Sequence, residues 1–152
     1  MTLKEQLESA LKDAMRANDD VKKRTLRMVL AAIRLAEVDG AAVARGVKMD
    51  DAGVMGVLQK EVKSRQESIA EAERAQRPDL VRASQEEIAV LEGFLPKPFS
   101  VEELENLVRE VISQVGATGP KEMGLVMKTL MPRLQGRAAG DQVSQVVRRL
   151  LQ

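Results

Sequence analysis

The stretch Phe94-Leu95-Pro96-Lys97-Pro98-Phe99 sets the organisation of this chain. Two prolines two residues apart stop any helix, because each lacks a backbone N–H, fixes φ, and pushes the preceding residue out of the helical region. Apolar residues recur at helical spacing on both sides of the break. The chain therefore divides into an N-terminal region, 1–95, a linker, 96–99, and a C-terminal module, 100–152.

Upstream of the break, four helices are expected. In the first, about 3–17, Leu3, Leu7, Leu11, Ala14 and Met15 share a face behind a Thr2/Glu5 capping box. The second, about 21–38, buries Leu26, Val29, Leu30 and Ile33 and ends at Gly40. Gly40–Lys48 has no periodicity and reads as a mobile loop. A long third helix, capped by Asp50 or Asp51, runs to about Ala75. The turn Arg77-Pro78-Asp79 folds it back on a fourth, capped by Asp79 and reaching Leu95.

Downstream, Ser100 and Glu103 form a second capping box for a helix that Gly116 and Gly119 end. Pro120 starts the next helix, and Asp141 caps the last. The expected fold class is all-α: an N-terminal four-helix region with a long helical hairpin, followed by a small C-terminal three-helix bundle.

Composition narrows the chemistry. Of 152 residues, 44% are apolar and 31% charged, which suits a folded globule. Phe94 and Phe99 are the only aromatics, so the cores must be aliphatic. With no Cys and no His, disulfides, Cys/His zinc sites, a thiolate nucleophile and an imidazole base are all ruled out. Carboxylate magnesium binding stays open, but no metal or cofactor is expected. The longest apolar run, MVLAAI (28–33), is far too short to span a bilayer, and a cytoplasmic location without membrane association is expected.

The net charge of +1 is unevenly spread. Residues 51–119 carry eight basic and thirteen acidic side chains, whereas 120–152 carry six and two. The six are Lys121, Lys128, Arg133, Arg137, Arg148 and Arg149. They suit a polyanionic partner. Arg137, in a Gly-flanked turn before a helix N-terminus, is placed to meet an anion with the free N–H groups there. Lys23, Arg27 and Arg34 form a second stripe that could track phosphates or pair with neighbouring acids. Gly116-Ala117-Thr118-Gly119-Pro120-Lys121 lacks the spacing of a phosphate-binding loop.

On the helical wheel, Arg65 lies among Val54, Leu58, Val62 and Ile69, and Glu87 among Leu80, Ile88, Leu91 and Phe94. Their positions average to 76, at the turn. An Arg65–Glu87 ion pair is therefore expected across the hairpin, joined by Glu61 one turn before Arg65. With no nucleophile beside it, its role is structural rather than catalytic, and no catalytic residue is expected.

LQKEVKSRQESI (58–69), EEIAVLEGFLP (86–96) and MGLVMKTLMPRLQGRAAGDQVSQVVRRLL (123–151) together resemble the GatB/YqeY family over essentially the whole chain. The resemblance implies an N-terminal helical bundle plus a small C-terminal bundle. In this family the module also forms the tail of the B subunit of glutamine-dependent aspartyl/glutamyl-tRNA amidotransferase, so it implies tRNA recognition. The kinase and transamidation chemistry of that enzyme lies in a domain this chain does not contain. Family members often carry Ala-Asp-Gly where this chain has Ala138-Ala139-Gly140. The expected function is a non-catalytic module binding tRNA through the basic residues named above. The alternative is an accessory module of an amidotransferase or other translation factor, docking through an apolar edge of Met123, Met127 and Met131. Carbon–nitrogen ligase activity with glutamine as amide donor ranks last, since it would need a partner to supply catalysis. The oligomeric state is open.

Overall fold

The computed structural model describes residues 1–46 and 49–152, and for Ala42 the backbone alone. Among the described residues there is no strand, as the all-α expectation requires. The chain forms two compact units, Met1–Leu95 and Pro96–Gln152.

In the first unit, α1 (Leu3–Arg16) opens on the Thr2/Glu5 capping box, with both reciprocal hydrogen bonds made. Asn18, in the left-handed region at φ 56°, turns the chain into α2 (Asp20–Glu37), where Asp19 caps by accepting from the Lys22 N–H. Gly40 does not simply end α2. It opens a short helix, α3 (Gly40–Ala44), inside the stretch expected to be a loop; Val47 and Lys48 of that stretch lie outside the described residues. The Asp39 carboxylate accepts from the Ala41 N–H at 3.2 Å and nucleates this turn in an alanine-rich segment.

The hairpin consists of α4 (Asp51–Arg74), capped by Asp50, and α5 (Pro78–Glu92). Gln76, at φ 55°, makes the reversal between them. Asp79 is not the cap expected of it. Pro78 takes the first helical position after Arg77, and the Asp79 carboxylate instead accepts from the Arg77 guanidinium at 2.9 Å. Leu7, Leu26, Val29, Ile33, Val54, Leu58 and Leu91 are fully or almost fully buried in this unit's core, with Phe94 packed at its edge. Fully burying each such side chain favours folding by about 1.5–3 kcal/mol.

The second unit contains α6 (Val101–Val115), α7 (Met123–Leu134) and α8 (Gly140–Leu150). Ser100 and Glu103 complete the second capping box, and Gly116 ends α6 at φ 69°, where a Cβ would be strained. Pro120 starts a 3-10 turn rather than the helix itself, which begins at Met123. Ala139 holds the cap position of α8 with no side-chain hydrogen bond, so Asp141, expected there, lies inside the first turn. Leu104, Val108, Val111, Val126, Leu130, Val143 and Val147 form the core, with Phe99 packed against it.

Pro96–Phe99, expected as a linker, is held to this second unit. The Phe99 N–H donates to the Arg137 carbonyl at 2.9 Å, and Arg137 Nε donates to the Lys97 carbonyl at 2.8 Å. Prolines on either side keep that carbonyl out of a helical ladder and free to accept.

Candidate nucleic-acid interface

The hairpin of the first unit brings Arg65, Glu61 and Glu87 together. Arg65 Nε lies 2.8 Å from Glu87 Oε2, and Nη1 lies 2.6 Å from Glu61 Oε2. The Arg65 side chain is 7% exposed. Burial works against its charge, but hydrogen bonds and charges from Glu61 and Glu87 outweigh that and raise its pKa above the usual arginine value. Sequence periodicity did not reveal the fourth member, Arg24 of α2, whose Nε reaches the other Glu87 oxygen at 3.3 Å. Both carboxylates are engaged by guanidinium groups, and no nucleophile is aimed at them. The arrangement fixes the register of three helices.

Lys23, expected beside Arg27 and Arg34 as a phosphate tracker, instead pairs with Asp20 at 3.0 Å and donates to Asn18. Arg27 and Arg34 are exposed and have no acidic partner among the described residues. A shallow groove of about 460 Å³ opens between α1, α2 and α5, and neither arginine lines it. Ala10, Ala14, Leu26, Val90 and Phe94 line it, with Asp13, Asp19 and Lys22 as its charged residues.

In the second unit, α6 carries acids that meet half of the basic residues singled out from the sequence. Arg133 pairs with Glu110 at 3.1 Å, Arg149 with Glu105, and Arg137 approaches Glu103 at 3.9 Å. Arg137 is further engaged: its guanidinium stacks 4.0 Å from the centre of the Phe99 ring. It is therefore a clamp on residues 97–99 rather than an anion receptor at the start of α8. Lys121, Lys128 and Arg148 are exposed with no acidic partner among the described residues. Lys128 lies on the outward face of α7 with the half-exposed Leu125, and Lys121 lies in the turn that leads into that helix. Of the apolar edge Met123, Met127 and Met131, the first two turn toward the core and Met131 is 45% exposed. Among the described residues, no group of three or more carboxylates is placed to hold a metal ion.

Residues 4–151 match the family described as Yqey-like protein. The chain belongs to the YqeY-like family. Three fungal relatives share the name altered inheritance of mitochondria protein 41, mitochondrial. The protein from Pyrenophora tritici-repentis is 30% identical over 138 residues, covering 90% of this chain and 73% of its own length. That from Lachancea thermotolerans is 29% identical over 135 residues, 88% of this chain and 68% of its own. That from Vanderwaltozyma polyspora is 33% identical over 89 residues, 59% and 46% respectively. These YqeY-like relatives overturn the cytoplasmic expectation, because all three are named as mitochondrial. A short apolar run carries no compartment address of its own. Among the described residues, no helix is long and apolar enough to cross a membrane.

Proposed function

We propose that this YqeY-like chain is a non-catalytic module that binds structured RNA, with tRNA as the ligand, through its second unit. The observation that carries the reading is the trio Lys121, Lys128 and Arg148, exposed and unneutralised on a unit whose other arginines are engaged by acids or an aromatic ring. The resemblance to the tail of the tRNA-dependent amidotransferase B subunit points the same way. That unit's one aromatic, Phe99, is covered by Arg137, so base stacking has no platform and contact falls on phosphates and shape.

The test is retention of labelled tRNA by the full chain as salt is raised. Three phosphate contacts give a slope of log affinity against log salt of roughly −2 to −3. Reversing Lys121, Lys128 and Arg148 together to Glu should remove that slope and lower affinity at least about tenfold. Absence of any salt-sensitive binding at low ionic strength sinks the reading.

A further inference from the structure

Helix α2 buries one apolar face in the core and leaves part of a second exposed toward its C-terminal end. Leu26, Val29, Leu30 and Ile33 are buried in the first unit's core. On the opposite side, Met28, Ala31, Leu35 and Val38 follow one another in steps of three, four and three residues, beginning one turn after Arg24, which is held by Glu87 of α5. Met28 is 51% exposed, Leu35 72% and Val38 74%, a seam about 15 Å long at 1.5 Å per residue. That alternation is the a/d pattern of a helix packed on a partner helix by knobs into holes. On the same register, Arg27 and Arg34 fall seven residues apart at the flanking g positions, the ones that select a partner by charge. On the opposite flank Thr25 is fully buried in this unit, Ala32 is half-buried, and Asp39, one residue past Val38, accepts from the Ala41 N–H.

We infer that this face docks an amphipathic helix of another protein whose apolar seam is bordered by Asp or Glu. The inference does not rest on the RNA reading. Arg27 and Arg34 both lack an acidic partner among the described residues, and an acidic flank supplies two at the matching spacing. A second copy of this chain fits worse. An antiparallel pair sets the two arginine flanks against each other, and a parallel pair offers Arg27 only Ala32 and Arg34 only Asp39, whose carboxylate already accepts from the Ala41 N–H. RNA would neutralise the arginines but leave Met28, Leu35 and Val38 facing nothing they can pack on. A membrane surface would favour Trp or Tyr at its interface, and the chain has neither. The Met28 sulfur lies 4.0 Å from Arg65 Nη2, so one end of the seam sits over the buried ion cluster.

The test uses the full chain and two designed helical peptides about three heptads long. They share one apolar seam and differ only in carrying Glu or Lys on its flanks. Fluorescence anisotropy should show the Glu-flanked peptide binding at least about tenfold tighter than the Lys-flanked one. Leu35→Asp should weaken that binding at least about tenfold while lowering Tm by only a few degrees, since Leu35 is 72% exposed and the cost is that of an acid in the last turn of α2. Arg27→Glu with Arg34→Glu should reverse the preference in favour of the Lys-flanked peptide. The inference is overturned by equal binding of both peptides, or by no saturable binding up to about 1 mM. It is also overturned if Leu35→Asp has no effect, or if the chain alone forms a dimer that Leu35→Asp dissolves. Loss of tRNA retention in the double arginine variant, with neither peptide bound by the parent, assigns the face to RNA instead.

Discussion

Replacing Glu87 by Gln removes one of the two charges that neutralise Arg65, while changing the side chain's shape very little. Arg65 is 7% and Glu87 16% exposed, and their nitrogen and oxygen are 2.8 Å apart. Two unit charges about 4 Å apart attract by roughly 4 kcal/mol at the effective dielectric of about 20 that suits protein sites. Glu61 remains at 2.6 Å and the Gln oxygen still accepts from Arg65 Nε, so only part of that attraction is lost, together with the Arg24 hydrogen bond, which the Gln NH2 cannot accept. The net cost should be about 2–3 kcal/mol, below the 3–5 kcal/mol of a buried charge left wholly unpaired. In a unit of this size, that lowers Tm by roughly 10–20 °C. The assay is urea and thermal unfolding followed by far-UV circular dichroism, since the chain has no Trp or Tyr to give a fluorescence signal. Combining Arg65→Met with Glu87→Leu should cost clearly less than the two single changes added together, because the pair is then removed along with its desolvation. A Glu87→Gln variant within about 0.5 kcal/mol of the parent would refute the reasoning.

Ala139→Asp should stabilise the second unit by about 0.5–1 kcal/mol, because it supplies the side-chain cap that α8 lacks. The gain stays at the low end, since the Gln142 N–H already donates to Asp141 Oδ1 at 3.0 Å; denaturant unfolding measures it. The hydrogen bond and charge of Arg77 hold the Asp79 carboxyl below the usual carboxylate range, so its NMR titration midpoint should be low and should rise in Arg77→Ala. Because the folded pKa lies below the unfolded one, this contribution is complete above the unfolded value and fades as pH falls through the folded value.

The longer helices and their faces were legible because each unit repeats apolar residues at the helical period, whereas α3, read as loop, is too short to show one. The Arg65–Glu87 pair follows from two wheels and one short turn. Arg24 did not, since nothing in periodicity says how α2 lies against the hairpin. The same gap hid the acids of α6: Glu103, Glu105 and Glu110 read as an ordinary helix surface until packing set them beside Arg137, Arg149 and Arg133. Arg137 looked aimed at α8 because sequence proximity shows the Gly turn but not the Lys97 carbonyl that Pro96 and Pro98 leave open. Asp79 and Asp141 misled as caps for a shared reason. A residue one or two places inside a helix start has the same composition signature as the cap itself.

The two phenylalanines fall one to each unit: Phe94 at the edge of the first core, Phe99 beneath the guanidinium of Arg137. Each core thus carries a single ring whose proton resonances are free of overlap with tyrosine or tryptophan signals. Ring current from Phe99 should shift the Arg137 side-chain protons upfield while the second unit is folded. Phe94, in turn, senses the aliphatic methyls packed around it. One spectrum therefore contains a separate thermometer for each half of the chain, without any introduced probe.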